Sequence, residues 1–373
     1  MNILASAMNF GLGPVGKLSS IVNYVNSKCD NINWYSCGDR FDLSIFDKNI
    51  FKDHCDEREN EVVDEFVKKY NIKFAVVVLD FELAEYLEKI GVKVFYVDSL
   101  PFMWTEADPI PLNASYYFAQ KCVNMNDRAN KVISKVKNLI WVNPIIPCVE
   151  GNNSLEKEYD VVINLGGMDS PFGDGREYIN TVLVNMVNAL KEFYLPSKIL
   201  VTCGSKAKEN IKNILKDADI ENLTVETLKQ SQFAEAVKNC KLFLTSPGMT
   251  TIYETCYYNK DTIILPPQNL SQFYNIEFAK KLIKNLKTIE WNREDLSFNY
   301  LEKYFDLGED ELVKLIYTNI SKAESDKNYN KKLFEEMKKL LKEPFISQDV
   351  IVFESNGTVD IVNRLLNDIK AVL

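Results

Sequence analysis

The sequence predicts an α/β chain of two doubly wound domains, each a parallel sheet covered by helices on both faces. Three observations predict it. A chain of 373 residues is longer than one ordinary core organises, so two domains are expected. Short apolar runs alternate with helix-length amphipathic stretches in both halves, which is the mark of βαβ units. Between the halves, Asn143-Pro-Ile-Ile-Pro-Cys-Val-Glu-Gly-Asn-Asn-Ser154 gathers the residues of a linker. With 46% hydrophobic and 26% charged residues, the chain can bury sizeable cores.

In the first half, a strand over Ile3–Met8 runs into a glycine-rich turn and a helical pattern through Asn26. Strand-like runs follow at Phe74–Leu79 and Val92–Val97, separated by the amphipathic stretch Glu82–Ile90, and the last apolar run is Leu139–Val142. This domain is read as residues 1–148. The second, residues 155–345, restarts at Val161–Leu165 and continues through strands at Ile199–Thr202, Leu223–Val225, Leu242–Thr245 and Thr262–Leu265. Helical patterns fill 177–194, 205–217, 231–239, 249–257 and 271–283. Beyond Glu309 the chain is helical and charged. Its final segment, 346–373, is either a solvated covering helix or a helix that returns to tether the first domain. Doubly wound sheets bind ligands at the carboxyl ends of their strands, so the two domains are expected to face a central cleft.

Charge and composition narrow the partners. A net charge of −9, with Lys and Arg scattered among acids, disfavours a long nucleic acid and leaves a single nucleotide open. No apolar run reaches the roughly 20 residues of a bilayer span, and Met1–Met8 lacks a charged start and long apolar stretch, so a cytoplasmic protein is expected. The cysteines at 29, 37, 55, 122, 148, 203, 240 and 256 form no CxxC. They read as reduced, mostly buried thiols, with no metal site expected. His54, the single histidine, sits in a polar segment read as solvated, and no Ser-His-Asp triad is credible unless it supplies one.

Chemistry concentrates in Leu242-Phe-Leu-Thr-Ser-Pro-Gly-Met-Thr-Thr-Ile-Tyr-Glu254. An apolar strand meets a Pro-Gly turn and then a helix whose open amides and dipole favour an anion. Ser246, Gly248 and Met249 form the turn. Gly248 lets backbone approach a phosphate, and the Thr250 and Thr251 hydroxyls can add hydrogen bonds. Glu254 lies one turn down on the same face, placed to accept ribose hydroxyls. The competing reading is a capped helix after a buried strand, with a threonine satisfying end amides and Glu254 solvated. Against it stands the continuation Thr262-Ile-Ile-Leu-Pro-Pro-Gln-Asn-Leu-Ser-Gln-Phe-Tyr-Asn275, where Gln268, Asn269 and Gln272 offer amides suited to a neutral polyol.

Residues 242–283 resemble the donor-binding half of GT-B glycosyltransferases, a group that includes bacterial lipid-linked N-acetylglucosamine transferases and many UDP-sugar transferases. The resemblance implies that Gly248, Thr251 and Glu254 hold the phosphates and ribose of a UDP-sugar donor, and that Gln268 and Gln272 contact the sugar. Ser246-Pro247 stands where many relatives place His or Arg, implying a less charged diphosphate contact. Further loops fit the same donor site: Gly166-Gly167-Met168 after the first strand of the second domain, and Cys203-Gly204-Ser205 after the next, with Lys206 able to meet phosphate. Gly11-Leu-Gly13-Pro-Val-Gly16-Lys17 has neither dinucleotide nor P-loop spacing; it reads as a tight turn, or by resemblance as a loop facing the reacting centre, with Gly13 toward the donor and Gly11 toward the acceptor.

An inverting transfer needs a base on its acceptor, and with histidine nearly absent a carboxylate is expected. Asp80 reads first as a helix N-cap. Asp98 is the candidate base or acceptor ligand, against a turn-forming role, with Phe102 and Trp104 beside it to stack on a flat acceptor; Glu106 and Asp108 are reserves. Asn9-Phe-Gly-x-Gly, the Asp98–Trp104 loop and Leu165–Gly173 also resemble loops of cytosylglucuronate synthases, GT-B members that join glucuronate from a UDP donor to cytosine. That resemblance implies Trp104 and Phe102 facing the base, Asp98 aiding its deprotonation, and Lys206 or Arg176 meeting the uronate. The expectation is a metal-independent glycosyltransferase with a UDP-sugar as substrate, no resident cofactor, a small-molecule acceptor and, as macromolecular partner, at most a second copy of itself. The alternatives are a UDP-sugar epimerase or hydrolase, and a sugar-nucleotide-binding protein without catalysis.

Overall fold

The computed structural model describes residues 1–373 apart from 9–12, 39–44, 47–48, 57–58, 123–124, 149–158, 167, 169–174, 194–196, 217–220, 308, 346–352, 354 and 373. The chain divides into two compact units, the first built on Met1–Gly151 with Phe353–Leu373 and the second lying within Asn152–Val352. Among the described residues, no helix is long and apolar enough to cross a membrane.

The first unit runs β1 Asn2–Ala7, α1 Gly13–Lys28, β2 Asn33–Cys37, β3 Phe51–Cys55, α2 Asn60–Lys69, β4 Phe74–Val78, α3 Phe81–Lys89, β5 Lys93–Asp98, β6 Tyr116–Gln120, α4 Asp127–Ile133 and β7 Leu139–Val142. Its seven strands are parallel in the order β3-β2-β1-β4-β5-β6-β7. Phe-Ala-Val-Val-Val of β4 is buried throughout, as a strand covered on both faces demands. After β4, Leu79 takes a φ of 61°, a left-handed conformation unusual for leucine, and Asp80 then accepts from the Leu83 amide as the N-cap of α3.

Strands β2, β3 and β6 escape a reading by apolar runs. Edge strand β3 is Phe-Lys-Asp-His-Cys, with a single fully buried position, because only one side of it meets the sheet. His54 is therefore not part of a solvated loop. Its Nδ1 lies 2.7 Å from Ser36 Oγ on β2, and its Nε2 2.6 Å from Asp56 Oδ1. Ser36 is fully buried, so this string of groups presents no nucleophile to solvent.

The last helix, α14 Gly357–Val372, belongs to the first unit. Ile361, Val362, Leu365 and Ile369 join the same core as β1 and β4. The Gly357 amide donates to Pro144 O at 2.9 Å, and a Cβ at 357 would lie 2.1 Å from Asn143 O, so only glycine fits. Asn356 Nδ2 and Thr358 Oγ1 both donate to Ile146 O, and Asp368 pairs with Lys93 at 2.5 Å.

The second unit runs β8 Val161–Asn164, α5 Arg176–Tyr178, a π-helical turn Ile179–Leu183, α6 Val184–Phe193, β9 Ile199–Thr202, α7 Ser205–Leu215, β10 Leu223–Glu226, α8 Gln230–Asn239, β11 Leu242–Thr245, α9 Met249–Tyr258, β12 Thr262–Ile264, α10 Leu270–Leu282 and β13 Lys287–Thr288. Helices α11 Phe298–Leu301, α12 Glu309–Ser325 and α13 Lys327–Lys342 follow. All six strands are parallel, in the order β10-β9-β8-β11-β12-β13. Strand order therefore reverses between β8 and β11, the place where a doubly wound sheet opens a crevice at its carboxyl edge. Strand β13 has two half-buried residues, too short and too polar to announce itself.

Candidate functional site

Three neighbouring strands of the second sheet end in polar residues at matched register, with Asn164 of β8 beside Thr202 of β9 on one side and Thr245 of β11 on the other. Thr202 Oγ1 donates to Asn164 Oδ1 at 3.3 Å, Asn164 Nδ2 donates to Thr245 Oγ1 at 3.0 Å, and Thr245 Oγ1 donates to Ser246 O at 2.8 Å. The Ser246 amide returns to Asn164 O at 2.9 Å. This ladder holds the β11–α9 turn against the strand ends. Apolar periodicity passes over it, because each member follows a hydrophobic run as a single polar terminator.

The turn itself is short. Gly248 is the N-cap of α9, its amide donates to Ser246 O at 2.7 Å, and its carbonyl accepts from the Ile252 amide and from Thr251 Oγ1 at 2.8 Å. The single hydroxyl proton of Thr251 is thus used within the helix, on a carbonyl and not on the end amides that the capped-helix alternative assigns to it. Thr250, half-buried one residue earlier, donates to nothing among the described residues. Met249 is buried beneath the turn, and Ser246 is fully buried, its hydroxyl beside that of Tyr178. Glu254 is fully buried one turn along α9, which removes the solvated alternative for that residue. Burying a carboxylate is costly unless it is hydrogen-bonded, so its place is a specified one.

The loop after β12 is tied at nearly every residue. Pro266 and Pro267 have no amide hydrogens, and their carbonyls accept from the Tyr178 hydroxyl at 2.7 Å and from Trp291 Nε1 at 2.6 Å. Burial raises the Tyr178 hydroxyl pKa, keeping it neutral and a donor. Asn269 caps α10, accepting from the Gln272 amide and from Ser271 Oγ. Gln268 and Gln272 are both buried, and their Nε2 groups both donate to Gly166 O at 3.0 Å. Gln272 Oε1 accepts from the Gln268 amide, and Gln268 Oε1 from the Tyr317 hydroxyl. Asn275 Nδ2 donates to Pro247 O at 2.9 Å and joins this loop's helix to the β11–α9 turn. The structure therefore brings Gly166, Ser246, Gly248, Thr250, Thr251, Glu254, Gln268, Asn269 and Gln272 into one connected edge. Tyr178, Trp291, Asn275, Asn164 and Tyr317, absent from the sequence reading, hold them there.

Other expected residues fall around this edge. Met168 is buried, with its methyl where a Cβ on Gly175 would go, and Gly175 has a φ of 66°. Gly204 is the N-cap of α7 after β9, and Ser205 and Lys206 are exposed in its first turn. Gly167 and Gly11 lie outside the described residues. Gly13 is the exposed first residue of α1 in the first unit.

In the first unit, Asp98 takes the turn-forming role that its sequence context sets against that of a base. It is fully buried at the end of β5. Oδ1 accepts from the Leu100 amide at 2.9 Å, and Oδ2 accepts from Trp104 Nε1 at 2.8 Å and the Tyr117 hydroxyl at 2.7 Å. Burial raises its pKa to about 6, against the three donors, which lower it. A base needs a lone pair that faces its acceptor, whereas this carboxylate spends its oxygens on pinning the loop after β5. Trp104, expected to stack on an acceptor, is buried with its indole on Asp98 and its ring edge against Phe81, centroids 4.9 Å apart; Phe102 is buried in the same loop. Nearby, Lys17 is buried, its Nζ donating to Gln120 Oε1 and Ile145 O. Among the described residues, no group of three or more His, Cys, Asp or Glu is placed to hold a metal ion.

Comparison with known proteins follows this geometry. Residues 173–343 match the glycosyltransferase family 28 C-terminal domain. The chain is 26% identical over 159 residues to the UDP-N-acetylglucosamine--N-acetylmuramyl-(pentapeptide) pyrophosphoryl-undecaprenol N-acetylglucosamine transferase of Campylobacter jejuni, covering 41% of this chain and 43% of that protein. The chain thus matches less than half the length of these curated relatives. Among solved structures, the UDP-GlcNAc 2-epimerase of Methanocaldococcus jannaschii in complex with UDP-GlcNAc and UDP superposes with a TM-score of 0.55 at 12% identity, over 100% of both chains. Arabidopsis thaliana UGT89C1 complexed with UDP gives 0.54 at 10% identity, over 98% of this chain and 99% of that one. At such identities the likeness is one of fold. Residues 173–343 are thus similar to the glycosyltransferase family 28 C-terminal domain, and the two doubly wound parallel sheets have the GT-B fold seen in UDP-glycosyltransferases.

Proposed function

We propose that the protein transfers a sugar, with inversion and without a metal, from a nucleotide donor of the UDP-sugar type to a small acceptor. The single observation that carries this reading is the α9 N-terminus. It stands at the carboxyl edge of β11, beside the strand-order reversal, with Gly248 as its cap, the Thr250 hydroxyl unspent and Glu254 buried one turn below. A helix N-terminus favours a diphosphate, and a carboxylate one turn deeper suits the hydroxyls of a ribose. The family 28 domain match and the UDP-glycosyltransferase fold support the same donor. Helix amides and hydroxyls then stabilise the leaving diphosphate.

Glu254→Gln keeps the side-chain volume and removes the charge that a ribose hydroxyl meets. We expect it to weaken UDP binding about 10-fold, the scale of one charge-assisted hydrogen bond, with the thermal midpoint little changed. Calorimetric titration with UDP checks this, and an unchanged affinity would sink the donor assignment.

As acceptor, a nucleobase such as cytosine is favoured by the resemblance of the 98–104 loop, yet Asp98, Phe102 and Trp104 are engaged with their own surroundings. Turnover with a panel containing cytosine and a lipid-linked sugar separates the two acceptor types. The epimerase neighbour keeps a second reading in view. Transfer releases UDP only when an acceptor is present, hydrolysis releases it without one, and epimerisation changes the sugar.

A further inference from the structure

Gln268 and Gln272 carry the sugar-contact expectation, but their geometry describes a brace. Two primary amides, one from the loop after β12 and one from the first turn of α10, converge on a single backbone oxygen, Gly166 O, each at 3.0 Å. A carbonyl has two lone pairs, so both are filled. The opposite ends of the two amides are also used, Gln272 Oε1 by the Gln268 amide at 3.0 Å and Gln268 Oε1 by the Tyr317 hydroxyl of α12 at 3.2 Å. Gln268 is fully buried and Gln272 nearly so. The backbone that presents them cannot shift easily, because Pro266 O and Pro267 O on one side and the Asn269 cap on the other are each held by side-chain or backbone donors.

We infer that Gln268 and Gln272 are positioning residues, which fix the backbone at Gly166, two residues past β8, and so set the shape of the donor site, and that they are not ligands of the transferred sugar. The inference rests on the donor-site reading proposed above. Its consequence is that the two glutamines act on the whole nucleotide-sugar and carry no discrimination among sugars. Selection of the sugar must then come from groups other than this glutamine pair.

The test uses the full chain with UDP and UDP-glucose as probes, and compares wild type with Gln272→Met, which keeps the length and removes both hydrogen bonds. Tyr317→Phe serves as a milder second variant, removing only the hydroxyl that holds Gln268. The expected result is a fall of about 5- to 10-fold in affinity for UDP and for UDP-glucose alike, as for the loss of one or two hydrogen bonds. Tyr317→Phe should move both in the same direction by a smaller factor. Hydrogen exchange in the segment around Gly166 should quicken without ligand. A fall for UDP-glucose with UDP unaffected would make the glutamines sugar ligands and overturn the inference. So would a lowered melting temperature with both affinities unchanged, which marks a purely structural role. A wild-type chain that binds neither probe would overturn the donor-site reading itself, and this inference with it.

Discussion

The two sheets share the order of their first six strands, and their carboxyl edges differ in what their polar groups do. In the first sheet, Asp98 gathers the Leu100 amide, the Trp104 indole and the Tyr117 hydroxyl around one buried carboxylate, and each partner is satisfied by the chain itself. In the second, side chains such as Asn164, Gln268 and Asn275 are spent on backbone carbonyls and neighbouring strands, and the Thr250 hydroxyl at the head of α9 is left unspent. The contrast teaches that a carboxylate at a strand end is no sign of catalysis until its lone pairs are counted. A site is recognised by what its scaffold leaves over.

Breaking the first edge should give the largest effect. Asp98→Ala strands two buried donors and the half-buried Leu100 amide, and we expect a loss of about 3–5 kcal/mol in urea unfolding, with UDP affinity retained wherever the protein remains folded. Normal stability joined to abolished turnover would reverse the comparison and restore Asp98 as a base.

The same carboxylate makes a pH prediction. Its folded pKa is raised from 3.8 to about 6 by burial, so its contribution to stability is fully present below the unfolded pKa and is lost as pH rises through the folded one. Between about pH 4 and pH 6 the wild type should lose up to about 3 kcal/mol relative to Asp98→Asn, which does not titrate. Parallel stability curves for the two proteins across that window would show that the carboxylate is not desolvated.

At the second edge the effects are smaller and finer. Thr250→Val should lower UDP affinity about 5-fold by removing the unspent hydroxyl, whereas Thr251→Val, whose proton already serves Gly248 O, should change it less. Equal effects of the two substitutions in calorimetric titration would mean that the Thr251 bond to Gly248 is exchanged for the ligand on binding.

Much of this edge could be located from sequence, and little of its wiring. Leu242–Thr245 and Thr262–Leu265 are unbroken apolar runs, and the Ser246-Pro247-Gly248 turn punctuates the first of them, so strand, turn and helix follow from local chemistry. The roles of Gln268 and Gln272 do not follow. Their partner, Gly166 O, is more than a hundred residues away in the chain and reaches them only through the pairing of β8, β11 and β12. The surroundings of Asp98 are hidden from the sequence for the same reason: its Tyr117 partner is brought alongside by β5–β6 pairing. Strands β2 and β3 escape the apolar reading because mixed polarity and, for β3, edge position weaken the hydrophobic signal, whereas β6, Tyr-Tyr-Phe-Ala-Gln, lies inside the sheet and carries an aromatic run that aliphatic periodicity passes over.

By itself the sequence determined the α/β class, the doubly wound repetition, and the strand, turn and helix of Leu242–Glu254. These depend on periodicity and turn residues, which act over a few positions. Tertiary structure alone decided which polar groups are consumed and which remain, and to which unit α14 belongs. Satisfying a buried hydrogen-bonding group is an accounting over everything packed around it, and sequence neighbours supply only part of that account.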